Sequence, residues 1–296
     1  MSVGGWQATF SVNIPIIVVS FLLAWYALPS ESKQTKISFS KLLQKLDGIG
    51  ILLFTFMMIF LLYFLLSIKT GVHPVSGILG VILLIIFIKW ESKVGKPFID
   101  IHFFKTHPQL SFVYIQFILL NIYNYSFFYG LPTYFQTQFH LDVKTSGLLM
   151  LLLSGFSMIA SPISGKMVDR IGTRKPLMLG TALMIIPSLL LMFLAIDTSI
   201  YMLGVVLIII GVSYGISNVV LQAAMLERTS PDMVGTSSGL FQTSRYVGSM
   251  LSSVVLSFLF GESISAIHLQ ELGEILILIS IVCHSICYFG GKAKTN

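Results

Sequence analysis

Arg245 is the one charged residue in an apolar run from about Gly235 to Phe260. A charge at membrane depth is destabilising unless it is paired or used, so by default it marks a functional site, here with a structural or gating role. Snorkelling is the other use open to it, because it lies ten residues from Gly235 and its long side chain can bend toward the interface. A second group is aromatic and polar: Tyr114, Asn121, Tyr125 and Phe128 fall near one helical face. Ring faces attract lipophilic cations by about 0.5–2 kcal/mol per contact, and a few polar groups in an apolar cavity make a ligand site. Helix packing and an interfacial aromatic belt would use the same residues. Asn218 and Gln222, one turn apart, suit either a cavity wall or an interhelical hydrogen bond. A third group is Gly165, Asp169, Arg170, Gly172, Arg174 and Lys175, within eleven consecutive residues. Gly172 suits a turn at positive φ. Asp169 suits a helix N-cap or a pair with a nearby Arg. The basic residues suit the face of a membrane.

Other chemistries find no support. The six histidines are scattered without ligand spacing, and no phosphate-binding loop is present, so neither a metal nor a nucleotide cofactor is expected. A polytopic membrane enzyme would need a cluster of His, Asp or Glu near one face, and none is visible. Cys283 and Cys287, four apart in an apolar run, read as reduced core thiols on one helix face. No carboxylate lies deep in any apolar run, although a proton-coupled carrier needs a group that takes up and releases a proton there.

The elements that must position these residues are membrane helices. Of 296 residues, 55% are hydrophobic and only 10% charged, with a mean hydropathy of +0.89. Soluble domains carry about 25% charge, so a soluble enzyme, a disordered tail and a nucleic-acid-binding domain are excluded. A span needs about 20 mostly apolar residues, and in lipid such runs become helices. Nine are legible: Phe10–Leu28, Gly48–Ile68, Pro74–Ile88, Ser111–Tyr134, Thr145–Ser164, Pro176–Ala195, Ile200–Leu226, Gly235–Phe260 and Ile275–Gly290. Small residues repeat four apart at Ser157, Ser161 and Gly165, at Gly211 and Gly215, and at Ser249, Ser253 and Ser257. Gly239 and Gly248 flank Arg245. Such positions allow close helix approach.

Orientation follows from the basic residues. Fifteen of the 18 fall on one face, including Lys33, Lys36, Lys89, Lys93, Lys166, Arg170, Arg174, Lys175 and Arg228. Lys69 and Lys144 stand on the other, and Arg245 is within the membrane. The C-terminus and the basic loops are therefore expected in the cytoplasm and Met1 outside. The net charge of +6 reports that face, not a nucleic-acid partner.

The segment Gly165-Lys-Met-Val-Asp169-Arg170-Ile-Gly172-Thr-Arg174-Lys175 closely resembles the G-x-x-x-D-R-x-G-x-R-K loop signature of the major facilitator superfamily. There the loop joins the second and third helices of a six-helix bundle. Here it joins spans five and six, so spans four to nine would form such a bundle. Three further blocks resemble drug exporters of the superfamily. Gly5-Trp6 through Asn13-Ile-Pro15 is similar to the start of their sixth helix. Leu131-Pro132-Thr-Tyr134-Phe-Gln136 is similar to the outer end of the first helix of the C-terminal bundle. Pro231 through Gly239, with Thr243-Ser-Arg245 and Gly248, is similar to a late loop and helix.

The resemblance implies an all-α polytopic membrane protein with a partial major facilitator fold. Residues 1–30 would be the last helix of an N-terminal bundle, 31–47 a basic cytoplasmic loop and 48–90 two additional central helices. A cytoplasmic loop at 91–110, a six-helix C-terminal bundle at 111–290 and a tail at 291–296 follow. The additional pair marks the 14-helix drug:proton antiporter branch, and about five helices of that pattern are absent. The implied function is multidrug efflux at the plasma membrane by alternating access, with protons exchanged for lipophilic or cationic small-molecule drugs. Asp169 to Lys175 would be the inner gate, and the proton-carrying carboxylate would belong to the absent half. The alternative is a truncated membrane remnant with no transport of its own.

Overall fold

The computed structural model describes residues 11, 13–27, 47–67, 71–95, 97, 99, 108–194, 199–261 and 264–290. The Gly5–Phe10 part of the first block, the basic segment 31–46 and the tail 291–296 lie outside them. Among the described residues there are nine α-helices and no strand. They are α1 (Asn13–Ala27), α2 (Gly48–Ser67), α3 (Pro74–Glu91), α4 (Pro108–Gln138), α5 (Val143–Ile171), α6 (Arg174–Leu194), α7 (Ile200–Glu227), α8 (Val234–Phe260) and α9 (Ala266–Gly290). A short 3₁₀ turn, Pro231–Met233, leads into α8.

The chain divides into two units, Met1–Lys45 and Leu46–Asn296. In the first, α1 is an apolar helix whose described side chains are exposed. In the second, α2 and α3 form an antiparallel hairpin. Its register is visible in three pairings: Phe54 meets Phe87 at 5.7 Å between ring centres, Leu61 packs on Gly80, and Phe64 packs on Gly77. The hairpin closes at one end through Trp90, whose indole N–H donates to the Asp47 carboxylate at 3.0 Å. Apolar side chains such as Leu52, Phe56, Val75 and Ile78 remain exposed on it, as suits a surface solvated by lipid.

Helices α4 to α9 pack into one bundle around Phe117, Tyr123, Phe127, Met184, Leu207 and Ile210, all essentially inaccessible. In lipid the hydrophobic effect does not press helices together, so close backbone approach and hydrogen bonds must hold them. Gly211 and Gly215 lay α7 on α5. A Cβ at Gly211 would strike the Leu153 backbone, and one at Gly215 would stand 2.5 Å from the Ser157 carbonyl oxygen. Gly248 brings α8 onto α4, where a Cβ would stand 2.7 Å from the Ile118 carbonyl oxygen. Gly239 and Gly165 face open space instead, so the expected close approach is absent at those two glycines. Hydrogen bonds cross the core between helices. Tyr123 donates to the Met184 carbonyl at 2.7 Å, Gln116 to the Cys283 carbonyl at 2.9 Å, and Ser213 to the Gly180 carbonyl at 2.9 Å. Cys283 and Cys287 are buried free thiols in α9.

Six of the nine helices are by themselves long and apolar enough to cross a membrane. The exceptions include α4 and α8, of 31 and 27 residues, which at 1.5 Å per residue are about 46 and 40 Å long. Their length suffices. Their hydropathy is lowered by the side chains that do the bundle's polar work, such as Gln116, Asn121 and Asn124 in α4 and Arg245 with its neighbouring Ser and Thr in α8.

Two boundaries move furthest from the hydropathy reading. Helix α5 runs on to Ile171 rather than ending near Ser164, and α9 begins at Ala266 rather than Ile275. Both extensions are polar turns. Hydropathy ends where a helix leaves the apolar layer, whereas backbone hydrogen bonding continues. At the start of α5, Asp142 is the N-cap and accepts from the Thr145 N–H at 3.3 Å. Hydrogen bonding from Thr145 holds its carboxyl below the usual aspartate value, so the cap stays ionised until more acidic pH.

Candidate functional site: the Arg245 cluster and the α5–α6 turn

Arg245 lies in α8 eleven residues beyond Val234, about 17 Å along the axis. Its guanidinium does not run along the helix to a membrane face but crosses to neighbours within the bundle. One terminal N–H donates to the Asn218 side-chain oxygen in α7 at 3.3 Å. The guanidinium carbon stands 5.6 Å from the centre of the Phe117 ring in α4. Phe117 is itself stacked on Phe241, with centroids 3.6 Å apart and planes 12° from parallel. One turn before Asn218, the Tyr214 hydroxyl reaches toward the Asn121 side-chain oxygen at 3.5 Å. Asn121 also donates to the Phe117 carbonyl at 2.7 Å. Three helices are thus tied around one charge. The Arg245 Nε is buried and has no hydrogen-bond partner. The cation therefore retains a donor that the described residues leave unmatched.

The aromatic and polar residues of α4 divide by depth. Tyr114 is buried and donates to the Ser237 carbonyl at 3.0 Å, so it braces α4 against α8. Asn121 is fully buried in the Arg245 cluster. Tyr125 is half-buried and Phe128 is exposed, with ring centres 6.2 Å apart. Tyr129, one turn on from Tyr125, joins them at 5.4 Å and meets the Ser249 hydroxyl of α8 at 3.0 Å. Gln222 is exposed on α7 and is not drawn into the cluster. A cavity of about 440 Å³ opens beside this aromatic group, lined by Tyr129, Thr133, Ser253, Ser257 and Phe260 among others. Neither this cavity nor a second one at the basic end of the bundle is lined by Tyr114, Asn121, Tyr125, Phe128, Asn218 or Gln222.

Residue type and run length do not single out Tyr214, Phe117, Phe241 or Tyr129, which the fold brings to the cluster. Helical spacing signals three of them. Tyr214 precedes Asn218 by four, Phe241 precedes Arg245 by four, and Tyr129 follows Tyr125 by four, so each shares a face with its neighbour.

At the other end, the segment expected as a loop is mostly helix. Gly165, Asp169 and Arg170 belong to α5, and only Gly172 and Thr173 separate it from α6. Asp169 therefore caps no helix N-terminus. It sits in the last turn of α5, exposed, and its carboxylate meets no partner among the described residues. Arg174 and Lys175 open α6, both exposed. Gly172 holds φ +73° and ψ 178°, a region essentially confined to glycine. Alanine at this position is expected to destabilise the fold by about 1–3 kcal/mol from backbone strain alone, because a Cβ there meets nothing. Thermal unfolding in detergent checks this. Thr173 is buried and donates to the Glu227 carboxylate at 3.1 Å, fixing the turn to the end of α7.

Spanning helices knit by small residues, with one charge held at depth between them, define a multi-pass membrane protein. The chain belongs to the major facilitator superfamily, whose profile, described as Major Facilitator Superfamily, matches residues 1–253. It is 50% identical over 275 residues to the uncharacterized MFS-type transporter YwoD of Bacillus subtilis (strain 168), covering 93% of this chain and 61% of that protein. It is 22% identical over 278 residues to the tetracenomycin C resistance and export protein of Streptomyces glaucescens, covering 91% and 50%. It is 26% identical over 281 residues to the multidrug resistance protein Stp of Mycobacterium tuberculosis (strain ATCC 25618 / H37Rv), covering 88% and 48%. The chain thus spans between about half and three-fifths of the length of these relatives.

Proposed function

We propose that the chain is the C-terminal portion of a proton-coupled multidrug efflux antiporter of the 14-helix branch, working by alternating access in the plasma membrane. The observation that carries this reading is Arg245, held at depth between α4, α7 and α8 by Asn218 and Phe117. The exposed rings of α4 lie on the side that α8 joins through Ser249. A lipophilic cation would meet Tyr125, Phe128 and Tyr129 first, at about 0.5–2 kcal/mol per ring. Asn121, Asn218 and Gln222 would supply polar contacts. The α2–α3 hairpin, which pairs mainly within itself and touches the six packed helices chiefly through α8, supports the branch. Two distant relatives named for drug resistance or export support the substrate class. In this reading the basic end faces the cytoplasm, and Asp169, exposed in the last turn of α5, closes the inner gate against another bundle. That bundle, with its proton-carrying carboxylate, is required for transport.

The test is ethidium efflux in everted vesicles. The chain alone is compared with a hybrid joined to the part of YwoD it does not cover. Efflux by the hybrid that stops when the pH gradient is collapsed is expected, with none from the chain alone. A hybrid present in the membrane that moves no lipophilic cation, or moves it without a pH gradient, overturns the reading. Within the working hybrid, Asp169→Asn is expected to slow turnover about tenfold or more while drug affinity stays within about twofold, because the group acts on the bundle equilibrium. An unchanged efflux rate removes Asp169 from the gate.

A further inference from the structure

A second cavity, of about 300 Å³, lies inside the six-helix bundle at its basic end. Its walls come from the first turns of α4, the α5–α6 turn, the start of α6 and the ends of α7 and α9. The inner part is apolar, with Val113, Leu177, Ala224 and Cys287, and the buried Gln116 reaches it. The mouth carries Arg174, Arg228, Thr173 and Glu227. Two guanidiniums therefore share the mouth with one carboxylate, and that carboxylate accepts from Thr173.

The two arginines are bonded in a way that leaves their charge unanswered. Arg228 donates to the Ala224 carbonyl at 2.8 Å, and Arg174 to the Tyr288 carbonyl at 3.3 Å. Both bonds satisfy backbone carbonyls near helix C-termini, which tempers the negative ends of α7 and α9. No ion pair to either guanidinium occurs among the described residues. The Arg228 Nε is buried with no hydrogen-bond partner among the described residues. A buried guanidinium donor without an acceptor is destabilising, and its planar N–H edge suits an oxyanion bound bidentately.

We propose that this cavity binds a phosphate-type oxyanion, with Arg228 and Arg174 as its ligands. Gln116 and the apolar inner wall would receive whatever the phosphate carries. The occupant would bridge the α5–α6 turn to the ends of α7 and α9. The phosphate can come from a phosphatidylglycerol headgroup or from a soluble compound. Basic pockets between membrane helices take such headgroups. The site stands on the cavity and its arginines alone and does not depend on the drug:proton reading.

The test measures thermal unfolding of the full chain in two arms. One titrates the detergent-solubilised protein with inorganic phosphate. The other compares nanodiscs of phosphatidylcholine with nanodiscs containing phosphatidylglycerol. A rise in the unfolding midpoint with phosphate identifies a soluble anion, and a rise only with phosphatidylglycerol identifies the headgroup. Arg228→Gln is expected to weaken the response about tenfold, the loss of one charge-assisted contact. Arg228→Lys should fall between. Lys166→Gln, an exposed charge at the same end outside the cavity, should leave it intact. If Arg228→Gln does not fold, Arg174→Gln makes the same comparison. No stabilisation in either arm, or an equal loss with Lys166→Gln, overturns the proposal.

Discussion

Arg245→Leu is expected to reduce efflux by the transport-competent hybrid at least tenfold while leaving its folded yield and thermal stability unchanged or raised. A structural brace would instead lose stability on removal. The geometry gives Arg245 one moderate hydrogen bond to Asn218 and one ring contact with Phe117, against a buried Nε with no acceptor. Replacing a poorly compensated buried charge by an apolar side chain is often neutral or stabilising. Function is a different matter, because each 1.36 kcal/mol of lost transition-state or coupling energy is about tenfold in rate. In the proposed function, a charge shared by α4, α7 and α8 would sense their relative movement. Arg245→Lys should retain part of the activity, since a point charge keeps the attraction to the ring but not the planar geometry. Parallel measurement of melting temperature and efflux decides the matter. A variant that loses both together makes Arg245 a brace and removes it from the transport path.

Gly211→Val should destabilise the bundle more than Gly172→Ala or any of the arginine substitutions, by about 3 kcal/mol, the upper end for overpacking. Three backbone atoms of Leu153 stand where the new Cβ must go, and no flexible side-chain tip is available to move aside. The α5–α7 contact would have to open along its length, taking Gly215 away from Ser157 and Ala160. Gly239→Val is the internal comparison. It adds the same side chain to a helical glycine whose Cβ would meet nothing, and it should leave the midpoint close to the parent. Equal effects at the two sites would mean that helix propensity, not interhelical contact, governs both.

Much of this molecule is readable one residue at a time. Apolar runs in a chain with 10% charge can only be membrane helices, because lipid offers no partner for an open backbone. All nine such runs correspond to α-helices among the described residues. The turn at Gly172 and the close approach at Gly211, Gly215 and Gly248 are likewise legible, since a missing Cβ is a local fact with a local consequence. The helical state of Asp169 is not. Hydropathy reports the environment of a helix rather than its hydrogen bonds, so it stops short at polar terminal turns.

The class of solvent, the helices among the described residues and the residues that could carry charge or allow contact are therefore readable from composition and pattern. Which of those residues meet depends on how the helices pack. Tyr114 and Phe128 share one helix, yet one is sealed against Ser237 and the other is exposed. Asn218 and Gln222 are one turn apart, yet only Asn218 faces Arg245. Thr173 and Glu227, 54 residues apart, are joined across the end of the bundle. The reason is geometric. Periodicity assigns a side chain to a face of its own helix, but the neighbour that face receives depends on how the helices cross and which small residues let them approach.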